Sequence, residues 1–238
     1  MLATNLYGNH LLDVRPERDR ERMAPGLHVR AMERREPTHQ RGERLQHVDF
    51  PIDAVMSVVA TFANGDVCEV GTVGCESFVE ADAALDSDTA RRNVFCQVAG
   101  NVVRMPVGAF EQELRSNAAF ARSIRRNVSA RLFTSEQFTA CNLKHPLIER
   151  CARWLLMTRD RVGRDDFPLT HDLLSIMLGV RRAGVTAAAA ALQVTGAISY
   201  QRGHVVVRDV ALLVRAACEC YQYSKDVFEQ SLLARHDD

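Results

Sequence analysis

Leu169–Arg208 reads LTHDLLSIMLGVRRAGVTAAAAALQVTGAISYQRGHVVVR, and within it the apolar period changes from helical to strand-like. Thr170 is placed to cap a first helix, with Leu173, Leu174, Met177 and Leu178 at helical spacing. Gly179 falls where a helical hairpin must reverse within about three or four residues, which favours a residue tolerant of positive φ. Arg181 and Arg182 then open a second helix, expected over 181–193, with Val185, Ala188, Ala189 and Leu192 as its inward stripe. Gly196 closes that helix region. Ala197–Tyr200 and Val205–Val207 follow as two short strands, and Arg202-Gly203-His204 turns between them. Helix, tight turn, helix and hairpin make a winged helix.

Charge along the same stretch is one-sided. From Leu173 to Arg208 the sequence holds arginines 181, 182, 202 and 208 and no acid, although the whole chain has a formal net charge of zero. Positive charge gathered at a helix start and a hairpin tip is what neutralising phosphates requires. Double-stranded DNA is therefore the expected partner.

The chain of 238 residues is long enough for one large or two modest domains. Its 47% hydrophobic and 25% charged content is ordinary for a globular protein. No apolar run approaches the ~18 residues of a membrane span, so no membrane is expected as a partner. The N-terminal stretch MLATNLYGNHLLDVRPERDRER lacks an apolar region behind a basic start, which reads as no secretory signal and a cytoplasmic location. The seven cysteines (68, 75, 96, 141, 151, 218, 220) are odd in number and irregular in spacing, as expected of reduced thiols. Cys218-Glu219-Cys220 is read on a single closing helix, where its thiols point to different faces. No second ligand pair with zinc-like spacing is read from the sequence, so no metal site is expected.

Before the winged helix the character is different. Residues 1–48 are rich in charge, with a weak helical signal at Leu11, Leu12, Val14 and Met23 interrupted by Pro16. Glu33–Gln40 reads as solvated surface or a poorly formed strand. Ala54–Phe62 and Val67–Gly71 flank Asn64-Gly65, a strong two-residue hairpin signal. Val94–Val98 and Val102–Met105 flank a further turn at Gly100-Asn101, and the set suggests a small β-barrel or roll. Ser116–Cys141 contains neither glycine nor proline and carries Phe120, Ile124, Val128 and Leu132 four apart, so it reads as one long helix capped by Ser116. His145-Pro146 breaks the chain. Leu147, Ile148, Cys151, Trp154 and Leu155 then line the buried face of another helix.

Ala152-Arg153-Trp154-Leu155-Leu156, Asp160-Arg161-Val162-Gly163, Met177–Arg182, Val185-Thr186, Gly196, Ile198, Tyr200, Arg202-Gly203 and Ala217–Tyr221 recur in this order in one subgroup of the Crp/Fnr family of bacterial transcription regulators. The chain resembles that family from Gly42-Glu43 through Phe50-Pro51 and Arg104-Met105-Pro106 to the closing segment. The resemblance implies an α+β fold with three parts. They are a cyclic-nucleotide-binding-like double-stranded β-roll as sensor (1–115), a long dimerisation helix (116–142) and a winged helix-turn-helix DNA-binding domain (143–238).

It also implies a homodimer, a roughly palindromic site, contact with RNA polymerase and no enzyme activity. Arg182 aligns with an arginine that reads guanine in the family, and Arg181, Gly184 and Thr186 are the next candidates for the major groove. Thr170, Arg202 and His204 are expected to hold phosphates. Ala183 and Ala187 stand where well-known members carry Glu and Arg, so the sequence read must differ.

In the segment that holds the cyclic phosphate in nucleotide-binding members, Phe78-Val79-Glu80-Ala81 lacks the glycine. Ala90-Arg91-Arg92-Asn93 lacks the hydroxyl that should follow arginine. Glu80, Arg91 and Arg92 are the only candidates for an effector site there. Cyclic AMP is disfavoured, and so is an iron–sulfur cluster, because no cysteine precedes Cys68. Two other readings are a ligand-sensing module acting through protein contacts and a cupin-like β-roll enzyme. The eight scattered histidines, with no His-x-His pair, disfavour the latter.

Overall fold

The computed structural model describes residues 8–233. Residues 1–7, the start of the stretch read for an export signal, and the segment 234–238 with His236 lie outside the described residues. By packing, the chain divides into two compact units. The first holds the described residues up to Val58, Gly71–Phe133 and those from Asp226 onward; the second holds Val59–Val70 and Thr134–Lys225.

The first unit begins with two short helices, α1 (His10–Asp13) and α2 (Glu17–Met23), separated at Pro16 as the sequence suggests. Strands β1 (His28–Met32), β2 (Pro37–His39), β3 (His47–Pro51), β4 (Val55–Thr61), β5 (Val67–Val73), β6 (Asn93–Val98) and β7 (Gly100–Pro106) follow, with the end of β4 and the start of β5 counted in the second unit. They form two sheets, ordered β1-β7-β3 and β2-β6-β4-β5. The pair expected around Gly100-Asn101 is not a hairpin, because β6 and β7 belong to different sheets. Gly100 sits at the crossover, where a Cβ would lie 2.5 Å from the Ala54 nitrogen, so only glycine fits.

Met32, Met56, Val58, Val73, Val94, Cys96 and Val102 fill the space between the sheets. Beside them Phe50, Phe78, Phe110 and Phe120 form a ring cluster, with successive centroids 5.9 Å (Phe50–Phe78) and 5.8 Å (Phe78–Phe110, Phe110–Phe120) apart. Aromatic pairs at this separation add to the apolar burial. The cluster fastens α3 (Val107–Ser116) and the start of α4 (Ala118–Lys144) onto the roll.

The long helix therefore starts later than expected. Ser116 ends α3, and Asn117 caps α4 by accepting the Phe120 N–H at 3.1 Å. Along the apolar row Phe120 and Ile124 are fully buried, whereas Leu132 is 60% exposed.

In the second unit α5 (Leu147–Val162) runs from Pro146 to Gly163, which takes a left-handed cap. Strand β8 (Asp166–Pro168) leads into α6 (His171–Leu178), α7 (Arg182–Val194), β9 (Ile198–Gln201) and β10 (His204–Val207), and the three strands pair in the order β8-β10-β9. The closing segment is two helices, α8 (Val210–Ala216) and α9 (Cys220–Leu232), rather than one. Ala217 is extended and breaks the helix, so Cys218 stands outside it. No single described helix is long and apolar enough to cross a membrane.

Candidate nucleic-acid interface

Thr170 caps α6 as its sequence position suggests, its hydroxyl accepting the Leu173 N–H at 3.2 Å. Gly179 ends the helix in the left-handed region (φ 64°), and the chain axis turns by 105° into α7. That is the crossing a helix-turn-helix needs. Arg181 is the residue before the helix, which runs 182–194 rather than 181–193.

Val185, Ala188, Ala189 and Leu192 are buried as their spacing suggests. This fixes which face of α7 looks outward: Arg182, Ala183, Thr186, Ala187 and Ala190 are exposed, and Arg181 is exposed just ahead of them. Gly184 is half-buried at the edge of that face. A Cβ there would meet Leu147 Cδ2 at 3.0 Å, so this glycine allows α7 to approach α5.

The wing is a two-residue hairpin, with Arg202 at φ 49° and Gly203 at φ 78°. Both central residues have positive φ, as a type I′ turn requires. A non-glycine residue in this conformation is uncommon, and here it presents an arginine at the tip. His204 is exposed at the start of β10.

Three residues to which the sequence assigned no contact tie the face together. Asp172, one residue before the acid-free stretch, pairs with Arg182 at 3.3 Å, and each side chain is 67% exposed. His171 shares a hydrogen bond with the Thr186 hydroxyl at 3.0 Å and stacks on Tyr200, with centroids 4.3 Å apart. Tyr200 in turn donates its hydroxyl to the Leu169 carbonyl at 2.6 Å. Partial burial, and after it the charge of Arg182, lowers the His171 pKa, which favours the neutral ring. The first turn of α6, the outer face of α7 and strand β9 thus meet at one imidazole. The signal for this was present in the sequence only as an unremarkable histidine next to the N-cap.

The expected effector residues are not brought together by any direct contact described. Glu80 is buried in the roll, where its Oε2 accepts the Asp49 N–H at 2.7 Å and its Oε1 lies 3.4 Å from His39 Nδ1. Arg91 and Arg92 are exposed, and both turn to Asp82, through the Arg91 backbone N–H at 3.0 Å and the Arg92 guanidinium at 3.9 Å.

Comparison with known proteins fits this geometry. Residues 149–216 match the family model of the Crp-like helix-turn-helix domain. No curated protein sequence matches the chain. Among solved structures, a CRP-family transcriptional regulator from Thermus thermophilus is 21% identical, with 79% of this chain and 96% of that one covered at a TM-score of 0.65. FixK2 from Bradyrhizobium japonicum is 14% identical, with coverages of 81% and 98% and a TM-score of 0.67. The c-di-GMP-responsive global regulator CLP from Xanthomonas campestris is 17% identical, with coverages of 79% and 97% and a TM-score of 0.61. At these identities the likeness is one of fold.

Proposed function

We propose, from the union of a Crp-like helix-turn-helix domain with the fold of Crp/Fnr-type transcription regulators, that this chain is a sequence-specific DNA-binding regulator acting as a homodimer in the cytoplasm. The observation that carries the reading is the outer face of α7. It shows Arg182 and Thr186 to solvent beside the small residues Ala183, Ala187 and Ala190, with Arg202 held out on the adjoining wing. Small residues at Ala183, Ala187 and Ala190 let a helix sit deep in a major groove, and a single arginine there can read guanine through O6 and N7. Thr170, Arg202 and His204 serve as phosphate contacts that set the register, and Arg181 flanks the reading helix.

Pairing of two copies falls to α4 in this proposal. Leu132, Phe133 and Leu143 lie exposed on it at 60%, 41% and 79%, more apolar surface than a solvent-facing helix needs. Two subunits related by a twofold axis would present two α7 helices to half-sites about one helical turn apart. The three-part division into sensor (1–115), dimerisation helix (116–142) and DNA-binding domain (143–238) follows from this reading. RNA polymerase is then the partner through which the bound dimer acts, and no enzymatic step is assigned to the chain.

The test is selection of bound genomic fragments, followed by titration of the selected site with the parent chain and Arg182→Ala. Loss of the bidentate contact should weaken the selected site by about 1–3 kcal/mol and random DNA much less. Equal losses on both would reduce Arg182 to a backbone contact. A parent chain that retains no fragment at low salt would end the proposal.

A further inference from the structure

The break between α8 and α9 places a group of side chains together that the function above does not use. Cys141 and His145 lie one turn apart at the end of α4, where the His145 N–H donates to the Cys141 carbonyl at 2.9 Å, so their side chains share a helix face. Cys218 comes from the break and Cys220 from the first residue of α9. One ligand atom from each of the four lies within 4.8 Å of all the others.

The short edges are Cys141 Sγ to Cys218 Sγ at 3.5 Å, His145 Nδ1 to Cys141 Sγ at 3.4 Å and His145 Nδ1 to Cys220 Sγ at 3.6 Å. Bond lengths of about 2.3 Å to sulfur and about 2.0–2.1 Å to nitrogen give tetrahedral edges of roughly 3.5–3.8 Å around one zinc ion. These three edges are already close to that length, and the remaining ones lie within 4.8 Å.

Two further observations point the same way. His145 turns its Nε2 towards Glu219 Oε1 at 3.4 Å, which leaves the Nδ1 lone pair for a metal and supplies the carboxylate partner that ligating histidines usually have. Gln137 Nε2 donates to Cys220 Sγ at 3.2 Å, an outer hydrogen bond of the kind that orients a ligand. Arg153, 4% exposed, is near enough for its charge to act on Cys141 and Cys218.

Its guanidinium stacks over Phe138 at 3.8 Å, its Nε has no hydrogen-bond partner, and among the described residues no carboxylate pairs with it. A buried cation without an anion is costly. A divalent ion held by three thiolates and one imidazole carries a net charge of minus one and would supply it.

We propose that Cys141, His145, Cys218 and Cys220 hold one zinc ion in a closed, structural Cys₃His site that ties the end of α4 to the junction of α8 and α9 inside the second unit. Four protein ligands leave no open position, so the ion fixes structure and takes no substrate.

The experiment is elemental analysis of the full-length reduced chain, purified without a histidine tag. Cobalt(II) is then titrated into the metal-stripped chain, and the visible bands of tetrahedral cobalt thiolate are read. About one zinc per chain and a saturable cobalt spectrum at one equivalent are expected. The bands should be lost in Cys141→Ser and Cys220→Ser and kept in Cys68→Ser, whose thiol lies outside the cluster. Because the cobalt titration of the parent chain reads the site directly, a variant that fails to fold does not decide the matter. A reduced parent chain with only trace metal and no cobalt bands overturns the proposal. So do bands that survive both cluster variants, or a Cys141–Cys218 disulfide as the only chemistry these residues show.

Discussion

The two units treat buried charge in opposite ways. Each gathers metal-competent side chains, His47, Asp49 and Glu80 in the roll and Cys141, His145, Cys218 and Cys220 in the winged unit. In the roll the charges answer one another. Arg104 grips Asp49 through two bonds of 2.7 Å, and Glu80, facing His39, is driven by burial towards its neutral form. In the winged unit Arg153 is buried beside thiols with no carboxylate of its own among the described residues. An inventory of ligand types would rank the two clusters alike. The charge balance around them separates the two.

If the roll is self-neutralised, removing one partner should cost far more than removing an exposed charge elsewhere. The Asp49 side chain is fully buried and that of Arg104 is 15% exposed. Arg104→Met should destabilise the chain by about 3–5 kcal/mol, because it leaves a buried carboxylate without its cation. Denaturant unfolding reads this directly. A loss below about 1 kcal/mol, the range of surface pairs, would mean that the roll is wetter than its packing indicates.

Glu80 gives the second, smaller contrast. Burial pushes its carboxyl up to about 7, against the opposing pull of His39. The folded roll therefore holds a proton that the unfolded chain releases, between the ordinary glutamate range and about pH 7. Stability should fall as pH rises through that window and level off above it. Glu80→Gln keeps an oxygen for the Asp49 N–H and removes the titration. The melting temperature of this variant should rise relative to the parent as pH goes from about 5 to about 8, on either side of that window. A difference that stays constant across that range would show that Glu80 does not titrate there.

The same contrast explains what could be read from the sequence. The winged helix was legible because each of its parts has a local cause. Thr170 caps, Gly179 and Gly203 take positive φ, and Val185 to Leu192 keep helical spacing. The roll was legible only in outline. The β4–β5 hairpin at Asn64-Gly65 is local, but β1, β2 and the crossover at Gly100 depend on strands far away in sequence. The outward direction of Arg182 followed from the buried stripe, whereas the tight space at Gly184 depends on Leu147 in another helix.

The four-residue cluster was missed for the same reason. Cys141-x-x-x-His145 is a helical pair that spacing alone reveals. Its partners came into reach only because Ala217 interrupts what read as one helix. Likewise Asp172 stands one residue outside the acid-free stretch, and only the 105° turn brings it back against Arg182.

That last pair gives the smallest expected effect. With both side chains 67% exposed, Asp172 and Arg182 contribute little to stability, below about 1 kcal/mol. To reach a base, Arg182 must give up this partner, and Asp172 at the start of α6 would repel the phosphates it approaches. Asp172→Asn should therefore leave unfolding nearly unchanged and tighten DNA binding by up to about 1 kcal/mol, most clearly at low salt, where charge is least screened. The measurement is a pair of titrations of the selected site at two salt concentrations, beside a denaturant curve. Weaker DNA binding by the variant would mean that Asp172 orients Arg182 for the groove, and the pair would then belong to the reading head instead of competing with it.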